Sequence, residues 1–150
     1  DKIDKLAQYG LQLTLSVSLH APDDETRSQI MPANRSVGVE RLFAACRRYF
    51  EKTGRRISYE YAMIEGVNDT NPEMQALCDF CEGTLCHVNL IQLNDIEGSP
   101  LKPSPIHKVE DLQRRLESRG IETTIRNSRG NDIDAACVQL KHRFKVQKNA

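Results

Sequence analysis

Residues 10–22, GLQLTLSVSLHAP, carry the alternation on which the fold turns. Leu11, Leu13, Leu15, Val17 and Leu19 alternate with Gln12, Thr14, Ser16 and Ser18, and a period of two marks a β-strand with one apolar face. Gly10 punctuates its start and His20-Ala21-Pro22 its end. Upstream, residues 1–9 read as the end of a helix that runs into this strand. Downstream, Asp23, Asp24 and Glu25 open a short helix to about Met31, because acidic side chains favour a helix N-terminus, and Pro32 stops it.

The same alternation of elements repeats along the chain. A helix is expected over 39–52, with Leu42, Phe43, Cys46 and Phe50 on one face, Arg47, Arg48 and Lys52 on the other, and Gly54 as its C-terminal cap. RISYEYAMI (56–64) is the next strand and GVND (66–69) a turn. A helix capped by Thr70 or Asn71 follows over 72–82, then a strand HVNLIQL (87–93). A loop rich in Gly and Pro leads to a helix over 108–119, a strand IETTIR (121–126) and a last helix from Asp132 or Asp134 to about Phe144. The fold class is therefore α/β, with four mainly parallel strands joined by crossover helices. Right-handed crossovers leave an open doubly wound sheet or an arc of a (β/α) barrel. In both, chemistry sits at the C-terminal ends of the strands, where Ser18-Leu19-His20, Glu65-Gly66, Asn94-Asp95 and Asn127-Ser128-Arg129 fall.

Composition narrows the function classes. The chain has 150 residues, 21 Lys+Arg against 21 Asp+Glu, 39% hydrophobic residues and no Trp. Zero net charge argues against a purely electrostatic nucleic-acid binder but permits an RNA enzyme with local basic patches. Few aromatics argue against a base-stacking RNA reader. No apolar run approaches the roughly 20 residues of a bilayer crossing, so no membrane is expected. An odd set of irregularly spaced cysteines (Cys46, Cys78, Cys81, Cys86, Cys137), with no secretory leader, fits free thiols in a reducing, cytoplasmic compartment.

Three groups of residues could carry chemistry. Cys78, Cys81, Cys86 and His87 have the composition of a zinc site. Packing is the better reading, because Cys78 and Cys81 share the apolar face of a helix, and Cys86 and His87 point to opposite faces of a strand. Cys137 lies in the first turns of a helix, where a thiolate is stabilised, although Asp132 and Asp134 oppose this and a core cysteine is equally consistent. Ser18, Leu19 and His20, with Asn94 past the third strand, suit a polar ligand as well as ordinary strand-end polarity. Glu60 fits either a barrel interior or a solvated face. Arg126, Arg129 and the basic stretch 141–150 are candidates for phosphate contacts.

The segments LSVSLHAP (15–22), MPANR (31–35), ISYEY (57–61), GVND (66–69), CHVNLI (86–91) and RGNDIDAACVQL (129–140) occur in order. Together they resemble the radical-SAM dual-specificity RNA adenine-C2 methyltransferase family, over residues 11–140 or so. The resemblance implies a partial barrel of the radical-SAM type. It implies that Ser18, Leu19, His20 and Asn94 contact S-adenosylmethionine, and that Cys137 is the methyl carrier. In that family the thiolate takes a methyl group from one S-adenosylmethionine. A second is cleaved at a [4Fe-4S] cluster to a radical that activates the methylated cysteine for attack on adenine. Substrates would be 23S rRNA and tRNA, with an electron donor such as flavodoxin. The family's Cys-x3-Cys-x2-Cys cluster motif is not in this sequence, and neither is a match for its resolving cysteine. The chain thus reads as residues 1–150 of a C-terminal portion, without metal ligands of its own and inactive alone. A carbon-8 adenine methyltransferase of the same architecture and a non-enzymatic zinc module on Cys78, Cys81, Cys86 and His87 are the competing expectations.

Overall fold

A computed structural model describes residues 2–95 and 98–126. The elements run α1 (Lys2–Gln8), β1 (Leu15–Ser18), α2 (Asp24–Ile30), α3 (Asn34–Val37), α4 (Val39–Thr53), β2 (Ile57–Met63), α5 (Asn71–Cys81), β3 (Cys86–Gln92), α6 (Ile106–Ser118) and β4 (Glu122–Arg126). All neighbouring strands pair in parallel, in the order β1-β2-β3-β4.

That order decides between the two solutions left open by sequence. Strands added one after another in the same direction, each by a right-handed crossover, place the connecting helices on one face of the sheet. No reversal of strand order occurs, so there is no doubly wound switch point among the described residues. The sheet is an arc of a (β/α) barrel, and no described helix covers its inner face.

The helix-covered face holds the core. Ile57, Tyr59, Tyr61 and Met63 of β2 and Cys86, Val88 and Leu90 of β3 are buried against Cys46 and Tyr49 of α4, Leu77, Cys78 and Cys81 of α5, and Val109, Leu112 and Leu116 of α6. Fully burying such side chains contributes about 1.5–3 kcal/mol each. The caps follow ordinary chemistry. The Asp23 carboxylate accepts from the Thr26 N–H at 2.8 Å, Thr70 caps α5 ahead of Pro72, and Gly54 closes α4 with φ +65°.

Three expectations change. The first strand begins at Leu15, not near Leu11, because Leu15 pairs with Ile57, the first residue of β2, and the sheet has no partner further upstream. Leu11 and Leu13 are exposed, and the Leu13 carbonyl accepts from the Tyr49 hydroxyl at 2.9 Å. On α4 the buried aromatic is Tyr49, whereas Phe43 and Phe50 sit at the edge. There Phe43 packs on Phe80, ring centroids 4.7 Å apart, and Arg47 covers its other side at 5.1 Å. The short helix α3 carries no periodic signal and is absent from the pattern. Cys137, Arg129 and the expected last helix lie outside the described residues.

Candidate functional site

The face of the sheet that no described helix covers carries polar side chains in every strand. In register across it stand Ser16, Ser58, His87 and Glu122, then Ser18, Glu60, Asn89 and Thr124, then Ala62, Ile91 and Arg126. Side chains alternate along a strand, so the residues between the buried apolar ones fall on this side, and all of those named except Ala62 and Ile91 are polar. A hydrogen-bonded belt joins them. Asn89 Nδ2 donates to Glu60 Oε2 at 2.8 Å, and Thr124 Oγ1 donates to Asn89 Oδ1 at 3.1 Å. The His87 ring lies between Ser58 Oγ at 3.3 Å and Thr124 Oγ1 at 3.2 Å.

At the C-terminal end of β1 the backbone is held in an unusual shape. His20 has φ +59°, in the left-handed region that a non-glycine residue rarely occupies. Several contacts enforce it. The Glu60 carbonyl accepts from the N–H groups of Leu19 (3.0 Å) and His20 (3.3 Å). Asn68 Nδ2 donates to the His20 and Ala62 carbonyls, both at 2.7 Å, while Asn68 Oδ1 accepts from the Ile64 N–H at 2.7 Å. Tyr61 in turn donates its hydroxyl to the Asn68 carbonyl at 3.0 Å. Asn68 is fully buried, so these bonds satisfy groups that could not reach water.

Arg27 performs the matching task on the other side of the turn. Its Nε donates to the Leu19 carbonyl at 2.8 Å and Nη2 to the Ser18 carbonyl at 2.9 Å. Nη1 donates to Asn34 Oδ1 at 2.5 Å. Asn34 is itself fixed by its amide, which donates to Asp24 Oδ1 (2.9 Å) and Ser28 Oγ (3.0 Å). Below the turn, Asp69 holds the 66–69 loop: its Oδ1 accepts from the Gly66 N–H at 2.8 Å, and its Oδ2 accepts from Ser104 Oγ at 2.6 Å and Lys108 Nζ at 3.0 Å. Burial opposes the charge on Asp69, but these donors keep its carboxyl below the ordinary range.

The imidazole of His20 has one assignable tautomer. Its Nδ1 accepts from the Ala62 N–H at 3.0 Å, so Nε2 carries the proton and is a fixed donor. Burial, and secondarily the charge of Arg27, hold its pKa below the usual histidine value, opposed by Glu60. The ring is thus neutral near pH 7, with an N–H to offer a ligand acceptor. Ser18 is exposed beside it, and Leu19 is fully buried with its N–H and carbonyl engaged. Asn94 lies two residues past the end of β3, half-buried, at the same C-terminal edge of the sheet. Ser18, Leu19 and His20 therefore come together on one braced turn. Cys137 lies outside the described residues.

The zinc-like set is not brought together. Cys78, Cys81 and Cys86 are buried in the core, whereas His87 stands on the polar face. No group of three or more His, Cys, Asp or Glu that could hold a metal occurs among the described residues. Burial pushes the Cys46 thiol up to about 11, and the contact between the buried Cys81 and Cys86 thiols holds the Cys86 thiol lower than that of Cys81. Arg27, Asn34 and Asn68 were not singled out as functional from sequence. For Asn34 and Asn68 the signal was present in the segments MPANR and GVND, where Asn34, Asn68 and Asp69 turn out to be buried; Arg27 lies in neither segment.

No family model matches the chain. It is 44% identical over 142 residues to the probable dual-specificity RNA methyltransferase RlmN of Alkaliphilus oremlandii, covering 95% of this chain and 41% of that protein. The protein of the same name from a Thermoanaerobacter species is 45% identical over 147 residues, covering 98% and 43%. The chain thus spans about two fifths of the length of the curated relatives it matches. The crystal structure of a radical SAM methyltransferase from Sphaerobacter thermophilus superposes with a TM-score of 0.85 at 46% identity, over 92% of this chain and 40% of that one. A domain of pyruvate-formate lyase-activating enzyme from Bacteroides vulgatus shares the fold alone, with a TM-score of 0.65 at 17% identity, over 83% of this chain and 72% of that one.

Proposed function

We propose that the chain is part of a radical-SAM dual-specificity RNA methyltransferase like the relatives it matches, and that it forms part of the S-adenosylmethionine site and carries the methyl-accepting thiol. The full-length enzyme would methylate carbon 2 of adenine in 23S rRNA and tRNA in the cytoplasm, with electrons from a donor such as flavodoxin. No helix among the described residues is long and apolar enough to cross a membrane.

The observation that carries this reading is the His20 turn. A neutral imidazole with a fixed Nε2–H, next to the exposed Ser18 hydroxyl, stands at the C-terminal end of a parallel strand over a polar face. These groups fit a nucleoside-amino acid cofactor, which presents acceptors and hydroxyls at once. Ser18 and His20 would contact S-adenosylmethionine by side chain, Leu19 would set the spacing between them, and Asn94 would close the site from β3. Bound there, the cofactor would supply the methyl group.

Cys137 would be the nucleophile that receives the methyl group. A covalent carrier suits this chemistry, because ring carbon 2 of adenine lacks the nucleophilicity for direct methylation. The [4Fe-4S] cluster does not fit residues of this chain. Its three-cysteine motif is missing from the sequence, and the four described cysteines are buried in the core.

The test is Cys137→Ala in the full-length protein. RNA methylation is expected to vanish while the iron content stays that of the wild type. Normal product from this variant would end the carrier assignment. Mass analysis of the modified adenine separates position 2 from position 8, and 8-methyladenine would replace the proposed specificity by its competitor.

A further inference from the structure

Glu60 is an acidic residue of the polar face, next to the proposed cofactor turn. It stands in register with Ser18, and its own carbonyl accepts the N–H groups of Leu19 and His20. Main chain and side chain together therefore place it at the centre of the proposed cofactor turn. Its carboxylate is oriented from one side only. Oε2 accepts from Asn89 Nδ2, and the Asn89 amide is held in that sense by Thr124 Oγ1. Among the described residues, Oε1 takes no hydrogen bond and no cation lies within ion-pair distance of the carboxylate. The other acid on this face, Glu122, is paired with Arg56.

A half-buried carboxylate with one oxygen fixed and one free is a hydrogen-bond acceptor waiting for donors. Two residues neighbour it: Ser18, whose hydroxyl-bearing residue is in register with it, and His20, whose backbone N–H donates to the Glu60 carbonyl. The surroundings thus combine an acceptor-only group with a hydroxyl and the Nε2–H donor of His20. A vicinal diol answers this set, because each hydroxyl both donates and accepts. An acidic side chain on a parallel sheet recognises ribose hydroxyls by the same chemistry in dinucleotide-binding folds. We propose that Glu60 is a cofactor-binding residue whose free carboxylate oxygen accepts hydrogen bonds from the ribose hydroxyls of the nucleoside, with Asn89 and Thr124 as its positioning residues. This rests on the placement of S-adenosylmethionine at the His20 turn.

The experiment is ligand affinity, by equilibrium dialysis, in the full-length enzyme carrying Glu60→Gln. Glutamine keeps an oxygen for the Asn89 amide and removes the charge. The probes are S-adenosylmethionine, 5′-methylthioadenosine, which keeps the diol and lacks both positive charges, and its 2′,3′-dideoxy form. Binding of the first two is expected to weaken about tenfold, as for loss of a hydrogen bond to a charged group, with the dideoxy probe unchanged. Unchanged binding of 5′-methylthioadenosine overturns the proposal. So does weakening of S-adenosylmethionine alone, which would place the carboxylate against the amino acid or sulfonium charge. Glu60→Asp, which keeps the charge on a shorter stem, is expected to restore part of the affinity if Glu60→Gln folds poorly, and no recovery in a folded protein also counts against the contact. His20→Ala separates the two levels. Weaker binding there with none in Glu60→Gln removes Glu60 alone, and unchanged binding in both removes the site itself.

Discussion

The two faces of one sheet differ in almost every physical respect. On the helix side, Tyr59, Tyr61, Met63, Val88 and Leu90 are sealed from water. On the other, their immediate neighbours Ser58, Glu60, Ala62, His87 and Asn89 are half-buried and mostly joined by side-chain hydrogen bonds. Both faces are built by the same strands, so folding propensity does not explain the contrast. The apolar set drives folding through burial under the helices. A belt of serine, glutamate, histidine, asparagine and threonine contributes little to folding. It is understood once the face is assigned to a ligand.

The comparison predicts that substitutions on the two faces separate stability from binding. The largest effect is expected from Leu90→Ala, which empties a fully buried site on β3. It should cost about 3 kcal/mol in urea unfolding, with cofactor affinity per folded molecule unchanged. A loss of affinity in the folded fraction would mean that the two faces are not independent.

Arg27→Met sharpens the boundary between them. Arg27 is buried, yet it serves the polar side by holding the carbonyls of Ser18 and Leu19. About 2 kcal/mol of stability is expected to be lost, because two carbonyls and Asn34 lose their donor. Here cofactor affinity should fall as well, since the turn carrying Ser18 and His20 is released. A stability loss of this size with full affinity would show that Arg27 is only a core element.

The smallest effect concerns Glu73, at the start of α5, which accepts from Thr26 Oγ1 at 3.1 Å. Burial first, and the nearby Asp23 carboxylate second, raise its pKa above the ordinary value. A raised carboxyl pKa means that the folded state holds its proton more tightly, so its contribution is present at low pH and is lost as pH rises through the folded value. Glu73→Gln is therefore expected to raise Tm slightly near pH 8, an advantage gone by about pH 4. Lower stability at both pH values would contradict this account.

Much of this was legible in the chain itself. The order of strands and helices followed from periodicity, because a buried face imposes a repeat that survives in the sequence. The same rule overshot at Leu11 and Leu13, whose alternation continues past the point where β2 can pair. From the residues alone the candidate site was legible only as strand-end polarity at Ser18, Leu19, His20 and Asn94; its assignment to a cofactor came from the resemblance. What shapes it was not: Arg27, Asn34 and Asn68 bond mainly to backbone carbonyls and amide groups up to 48 residues away, and such partners leave no local pattern. Glu60 was ambiguous for a related reason, since an inward and an outward strand position look alike until the layer of helices is placed.

The claim at the centre is that the polar face around the His20 turn holds S-adenosylmethionine. Its most direct test is the affinity of the full-length protein for S-adenosylmethionine in His20→Ala, measured beside iron content and thermal unfolding. Removal of the fixed Nε2–H should weaken binding about tenfold, with iron and fold retained. Wild-type affinity in a folded, iron-loaded His20→Ala protein would contradict the account.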